Sequence, residues 1–173
     1  NGDLQAQRWI QGTLAERDLL RGEPLTAHQR LAPLIDQERP RDVDEYVLLP
    51  LSAWVALEMA QESRAAHLLQ SALAYADTNQ LAPTTISALR VRALLNARQG
   101  RSAQAMDDLR DALALSEAIQ QPYQVAKVHF MQARIGTGED RTGPSRGHAR
   151  AALAILEPLH ERLYATGLER LLA

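Results

Sequence analysis

The chain has 173 residues, of which 46% are apolar and 23% charged, with a formal net charge of −2. That balance fits a folded chain and lacks the basic excess by which nucleic-acid binders are recognised. Cysteine is absent, which excludes disulfides and thiol chemistry, and no apolar run reaches the roughly 20 residues of a membrane-crossing helix.

Aromatic residues make up only 4%. Ala, Leu, Gln and Arg dominate and are good helix formers, while Val and Ile are too few for a large sheet. In chain order, the apolar spacing and the breakers predict helices over about 3–21 and 25–37, joined through Gly22-Glu23-Pro24. A second pair is expected over 43–60 and 63–78, a third over 84–98 and 103–119, and a fourth over 122–137 and 144–160. Gly100 suits a helix C-terminus and Ser102 suits the N-cap that follows it. Pro40, Pro83 and Pro122 fall in linkers. Pro33, Pro50 and Pro158 fall inside the predicted helices, so each of those helices bends or stops there. Gly136, Gly138, Gly143 and Pro144 mark an irregular turn, and residues 163–173 read as a terminal helix.

The pairs repeat. Ala53, Ala93 and Ala133 stand 40 residues apart, as do Ala72, Ala112 and Ala152, with Ala32 ahead of them. Ala65 and Ala105 continue as Ser145, and Leu69 and Leu109 as Ala149. Several columns sharing one period are the signature of a helical array, with units of about 1–40, 41–80, 81–120 and 121–162 before the terminal helix. Alanine in a recurring column marks a place where helices pack too closely for a larger side chain.

These small residues resemble the tetratricopeptide repeat, whose motif carries Gly or Ala at its eighth position and Ala at its twentieth and twenty-seventh. Ala53, Ala65 and Ala72 take those places in the second unit, and Ala93, Ala105 and Ala112 in the third. Arg92 and Asn96 depart from the apolar residues usual there, and the repeat exceeds the family's usual length of about 34 residues. The resemblance implies an all-α, right-handed superhelix: a solenoid of about four helix pairs plus a terminal helix in one domain. An Ala/Leu/Arg-rich version of 40 residues is similar to the arrays of maltose-regulator-like activators of the LuxR class and of related bacterial signalling proteins.

Residues with chemical roles are sparse. No glycine-rich phosphate loop and no paired carboxylates are found, so neither an enzyme nor a cofactor is expected. His28, His67, His129, His148 and His160 have no i,i+4 partner, so no metal site is expected either. Asp107, Asp108 and Asp111 read as complements to a helix dipole. Transferring the family's groove positions gives Trp54, Glu58, Arg90, Leu94, Arg98, Lys127, Phe130 and Arg134 as a partner-binding groove. Trp54, Leu94 and Phe130 would form an apolar patch beside the basic Arg90, Arg98, Lys127 and Arg134, suited to an anionic peptide or a carboxylate terminus.

The expected function is therefore a protein–protein interaction or effector-sensing scaffold, taking a protein, a peptide or a small-molecule effector, inside a bacterial regulator of transcription. The alternatives are an oligomerisation module, such as a homodimer contact, of a multidomain ATPase, cyclase or kinase regulator, and a direct nucleic-acid binder. The start, Asn1-Gly2-Asp3-Leu4, has neither Met nor the features of a secretion signal. It reads as a piece of a larger cytoplasmic protein.

Overall fold

A computed structural model describes residues 2–136 and 143–172. The described residues form helices and turns with no strand. Helices α1 (Gly2–Leu20) and α2 (Pro24–Leu31) are followed by α3 (Val43–Glu58), α4 (Glu62–Thr78) and α5 (Ala82–Arg98). Then come α6 (Ser102–Ala118), α7 (Pro122–Gly136), α8 (Gly143–Leu156) and α9 (Leu163–Leu172). The fold is an all-α helical array. Gly138, at the centre of the expected 136–145 turn, lies outside the described residues, as do Asn1 and Ala173.

Contacts divide the chain into two compact units, Asn1–Val91 and Arg92–Ala173, with the boundary inside α5. In the first unit α1 packs on α2 and α3, α2 on α3, and α3 on α4. In the second, α6 packs on α7, α7 on α8 and α9, and α8 on α9. The recurring alanines belong to the core. Ala53, Ala65 and Ala72, and likewise Ala93, Ala105, Ala112, Ala133, Ala149 and Ala152, are buried, so the columns mark packing and not composition alone. Ala32 is exposed, because α2 ends one residue before it.

A finer metre underlies the 40-residue period. From α3 to α7, three-residue turns separate successive helices, and α4, α5 and α6 each span 17 residues. Each turn closes the same way. Residues 60, 80, 100, 120 and 160 all adopt positive φ, at 58°, 54°, 71°, 53° and 53°. The next residue donates its N–H to the carbonyl five positions back: Gln61 to Ala56 at 2.8 Å, Leu81 to Ala76 at 2.9 Å, and Arg101 to Asn96 at 2.8 Å. This left-handed cap satisfies carbonyls that the end of a helix would leave open. Glycine fills it at Gly100, but Ala60, Gln80, Gln120 and His160 adopt it at a steric cost that glycine would avoid.

Several sequence expectations shift. The helix expected over 25–37 stops at Leu31, which leaves Pro33 in a turn; the one expected over 144–160 stops at Leu156, which leaves Pro158 in a turn. Both prolines lack the N–H that would continue a helix. Pro50 does lie inside α3, which runs on through it. Ser102 is the first residue of α6 and Arg101 is the N-cap residue, with no side-chain cap bond.

The segment between α2 and α3 has no regular structure, and ions hold it. Arg8 of α1 is buried, and its Nη2 donates to Glu45 Oε1 at 2.6 Å. Its Nη1 reaches both Asp42 oxygens at 2.9 Å, and its Nε donates to the Leu34 carbonyl at 3.1 Å. Glu45 accepts in turn from the N–H groups of Asp36 and Arg41, each at 3.2 Å, and from the Arg41 guanidinium at 3.0 Å. Asp42 caps α3 by accepting from Glu45 N–H at 3.0 Å. A buried carboxylate is tolerable here because its oxygens are fully engaged.

Candidate functional site

Most of the large apolar side chains exposed among the described residues lie in the first unit. On α1, Trp9 is 77% exposed and Leu4 and Ile10 are exposed; on α3, Val43 and Val47 are exposed. A cleft of about 390 Å³ opens there, lined by Gln5, Ala6, Arg8, Trp9, Asp44, Val47 and Leu48. Helix geometry explains the line-up: residues 5, 8 and 9 fall on one face of α1, and 44, 47 and 48 on one face of α3. The helices approach closely because Gly12 sits between them, where an added Cβ would meet Leu48 Cδ2 at 2.8 Å. Arg8 forms the floor, fixed by the ions described above, and Gln5 donates to Asp44 at 3.4 Å near the rim. An apolar surface with an aromatic residue at its centre and polar groups at its edge is how protein-binding sites are built.

The residues expected in the groove are placed otherwise. Trp54 is 1% exposed on α3, and its Nε1 donates to Glu58 Oε1 at 2.9 Å. Arg90 is 4% exposed; its Nη2 lies 3.9 Å from Glu16 Oε1, and its Nε and Nη1 make no hydrogen bond among the described residues. In the second unit Leu94 and Phe130 are buried, Arg98 is exposed and Arg134 is half-buried. The Lys127 ammonium lies 4.7 Å from the Tyr123 ring and 5.3 Å from the Tyr164 ring, and Phe130 meets Tyr164 edge-on with centroids 4.9 Å apart. Thus Trp54 with Glu58, and Lys127 with Phe130 through Tyr164, are brought together. Trp54, Leu94 and Phe130 are buried core side chains, not an exposed patch. No family model, curated protein or solved structure matches this chain.

Two polar groupings escaped the sequence. Asp108 is buried rather than merely complementing a dipole, and accepts from Arg92 Nε at 3.1 Å and from Asn96 Nδ2 at 2.8 Å. Asn96 Oδ1 accepts from Arg101 at 2.7 Å. Arg92 and Asn96, the departures from the repeat pattern, thus replace an apolar contact with a hydrogen-bonded one. The Asp108 bond, with its charge, raises the Arg92 pKa above its ordinary value.

His129 on α7 and His148 on α8 form the second grouping, with Nδ1 atoms 3.3 Å apart and ring planes 25° apart. Gln132 Oε1 lies 2.8 Å from His129 Nδ1. Burial, and then the neighbouring His129, lowers the His148 pKa. Among the described residues no group of three or more His, Cys, Asp or Glu gathers at one point, and no helix is long and apolar enough to cross a membrane.

Proposed function

We propose that the chain is a helical-repeat scaffold that binds a protein partner, and that the partner presents an amphipathic helix to the face formed by α1 and α3. The observation that carries this reading is the exposed Trp9 beside the cleft at Val47 and Leu48. The array's own packing supplies the shape of the occupant. In each unit the second helix of one pair also covers the first helix of the next, as α2 covers α3 and α6 covers α7. An apolar stripe with i, i+3, i+4 spacing fits the α1–α3 face in the same manner. A role inside a bacterial regulatory protein, as the resemblance to tetratricopeptide arrays implies, is compatible with such a scaffold.

The chain has two tryptophans, Trp9 and Trp54. In a Trp54→Phe background Trp9 is the sole fluorophore. Titration with a synthetic peptide of residues 102–118, an amphipathic helix of this array, is expected to shift Trp9 emission to the blue, and Val47→Asp to abolish the shift. A folded chain whose emission ignores every amphipathic helix offered would overturn the proposal. A blue shift that appears with chain concentration alone would assign the face to a second copy instead.

Arg90 supports a second reading, in which the scaffold senses an anionic effector. A buried guanidinium with two N–H groups unbonded among the described residues is a ready receptor for a carboxylate. Loss of acidic-peptide binding in Arg90→Gln, with Trp9→Ala unaffected, would favour it.

A further inference from the structure

His129 and His148 stand 19 residues apart in the chain and meet only because α7 packs on α8. We propose that these two imidazoles form an open site for a late first-row divalent cation, with copper held more tightly than zinc.

The geometry fits a shared ion. Two imidazole nitrogens bound to one zinc at tetrahedral angles lie about 3.3 Å apart with ring centroids about 5.2 Å apart, given Zn–N bonds of about 2.05 Å. The observed separations are 3.3 Å between Nδ1 atoms and 5.4 Å between centroids. Gln132 Oε1, 2.8 Å from His129 Nδ1, places a third lone-pair donor beside the pair.

One imidazole nitrogen carries either one hydrogen or one lone pair, so it cannot serve the amide oxygen and the second ring equally. A cation accepts all three lone pairs at once. Both rings are half-buried, which leaves a path from solvent. Among the described residues no carboxylate or thiolate completes a closed set, so water fills the remaining positions, as in exchangeable sites. Neutral imidazole suits Cu2+, Ni2+ and Zn2+, and the usual order of affinities places Cu2+ first.

The test is calorimetric titration of the untagged chain with CuCl2 and with ZnCl2, alongside His129→Ala, His148→Ala and, as a control, His160→Ala. One equivalent of each ion is expected to bind the native chain, at least tenfold more weakly in either site variant and unchanged in the control. Zn2+ is also expected to move the 15N resonances of the His129 and His148 Nδ1 atoms in the native chain, which needs no variant to fold. No bound equivalent, or binding that survives both site variants, would overturn the proposal. Zn2+ titration that leaves those two nitrogens unmoved would show that the pair is held by hydrogen bonds alone.

Discussion

The corner formed by α1, α2 and the start of α3 and the run from α4 to α6 solve the same problem by different means. From α4 to α6 the chain keeps a strict metre of 17-residue helices and three-residue turns, with buried alanines along it. At the corner the metre fails: α2 is eight residues long and residues 32–42 are irregular. There a buried guanidinium and carboxylate, Arg8 and Glu45, gather the backbone groups that a helix would have satisfied internally. Where repetition lapses, buried charges take up loop backbone groups, whereas the buried Asp108 of the regular run is held by the side chains of Arg92 and Asn96.

The largest expected effect falls on that corner. Glu45→Ala leaves Arg8 and two backbone N–H groups without their acceptor and is expected to cost about 3–5 kcal/mol, measured by urea unfolding. Arg8→Met combined with Glu45→Leu is expected to cost less than the sum of the single changes, since no lone charge then stays buried. Additive losses would show that the two side chains act independently and would break the contrast.

In the regular run the equivalent test is overpacking. Ala93→Leu or Ala112→Leu is expected to destabilise by about 1–3 kcal/mol, because each alanine is fully buried and a longer side chain would overpack the core. Neutral behaviour at both would contradict close packing as the basis of the metre.

Acid should separate the two regions further. Hydrogen bonds from Arg8 and from the Glu45 N–H hold the Asp42 carboxyl below its ordinary value. Burial pushes Asp18 upward, but Arg30 and Arg17 outweigh it and hold that carboxyl low as well. Below the ordinary aspartate value of about 3.9 the unfolded chain therefore binds more protons than the folded one. Their stabilisation is present above that value and is lost as pH falls through the lowered folded values. Hydrogen exchange at pH 3 is expected to rise in residues 32–42 before it rises in 62–78. Uniform loosening would remove the distinction.

The smallest effects belong to the turns. Gly100→Ala is expected to cost about 1 kcal/mol by placing a Cβ on a left-handed residue, while Ala60→Gly or Gln80→Gly is expected to gain up to about 1 kcal/mol by removing one. Thermal unfolding of the three variants reads both signs.

The fold was largely legible because its signals are local. The 3.6-residue spacing located the helices, and Asp42-Val43-Asp44-Glu45 ahead of an apolar run even carries the spacing of an N-terminal capping motif. The groove was less legible. The groove positions implied by the family resemblance grouped Trp54, Leu94 and Phe130 as an apolar patch but could not say whether the array's own packing already covered it.

By itself, then, the sequence determined the helices, their pairing and the alanines that let them pack, since all three follow from spacing along one chain. Only the tertiary structure decided which apolar residues stay exposed, as Trp9 does, and which polar residues meet, as Arg8 does with Glu45 and His129 with His148. Those outcomes depend on which helix lies against which face. A face has a period in sequence; its neighbour does not.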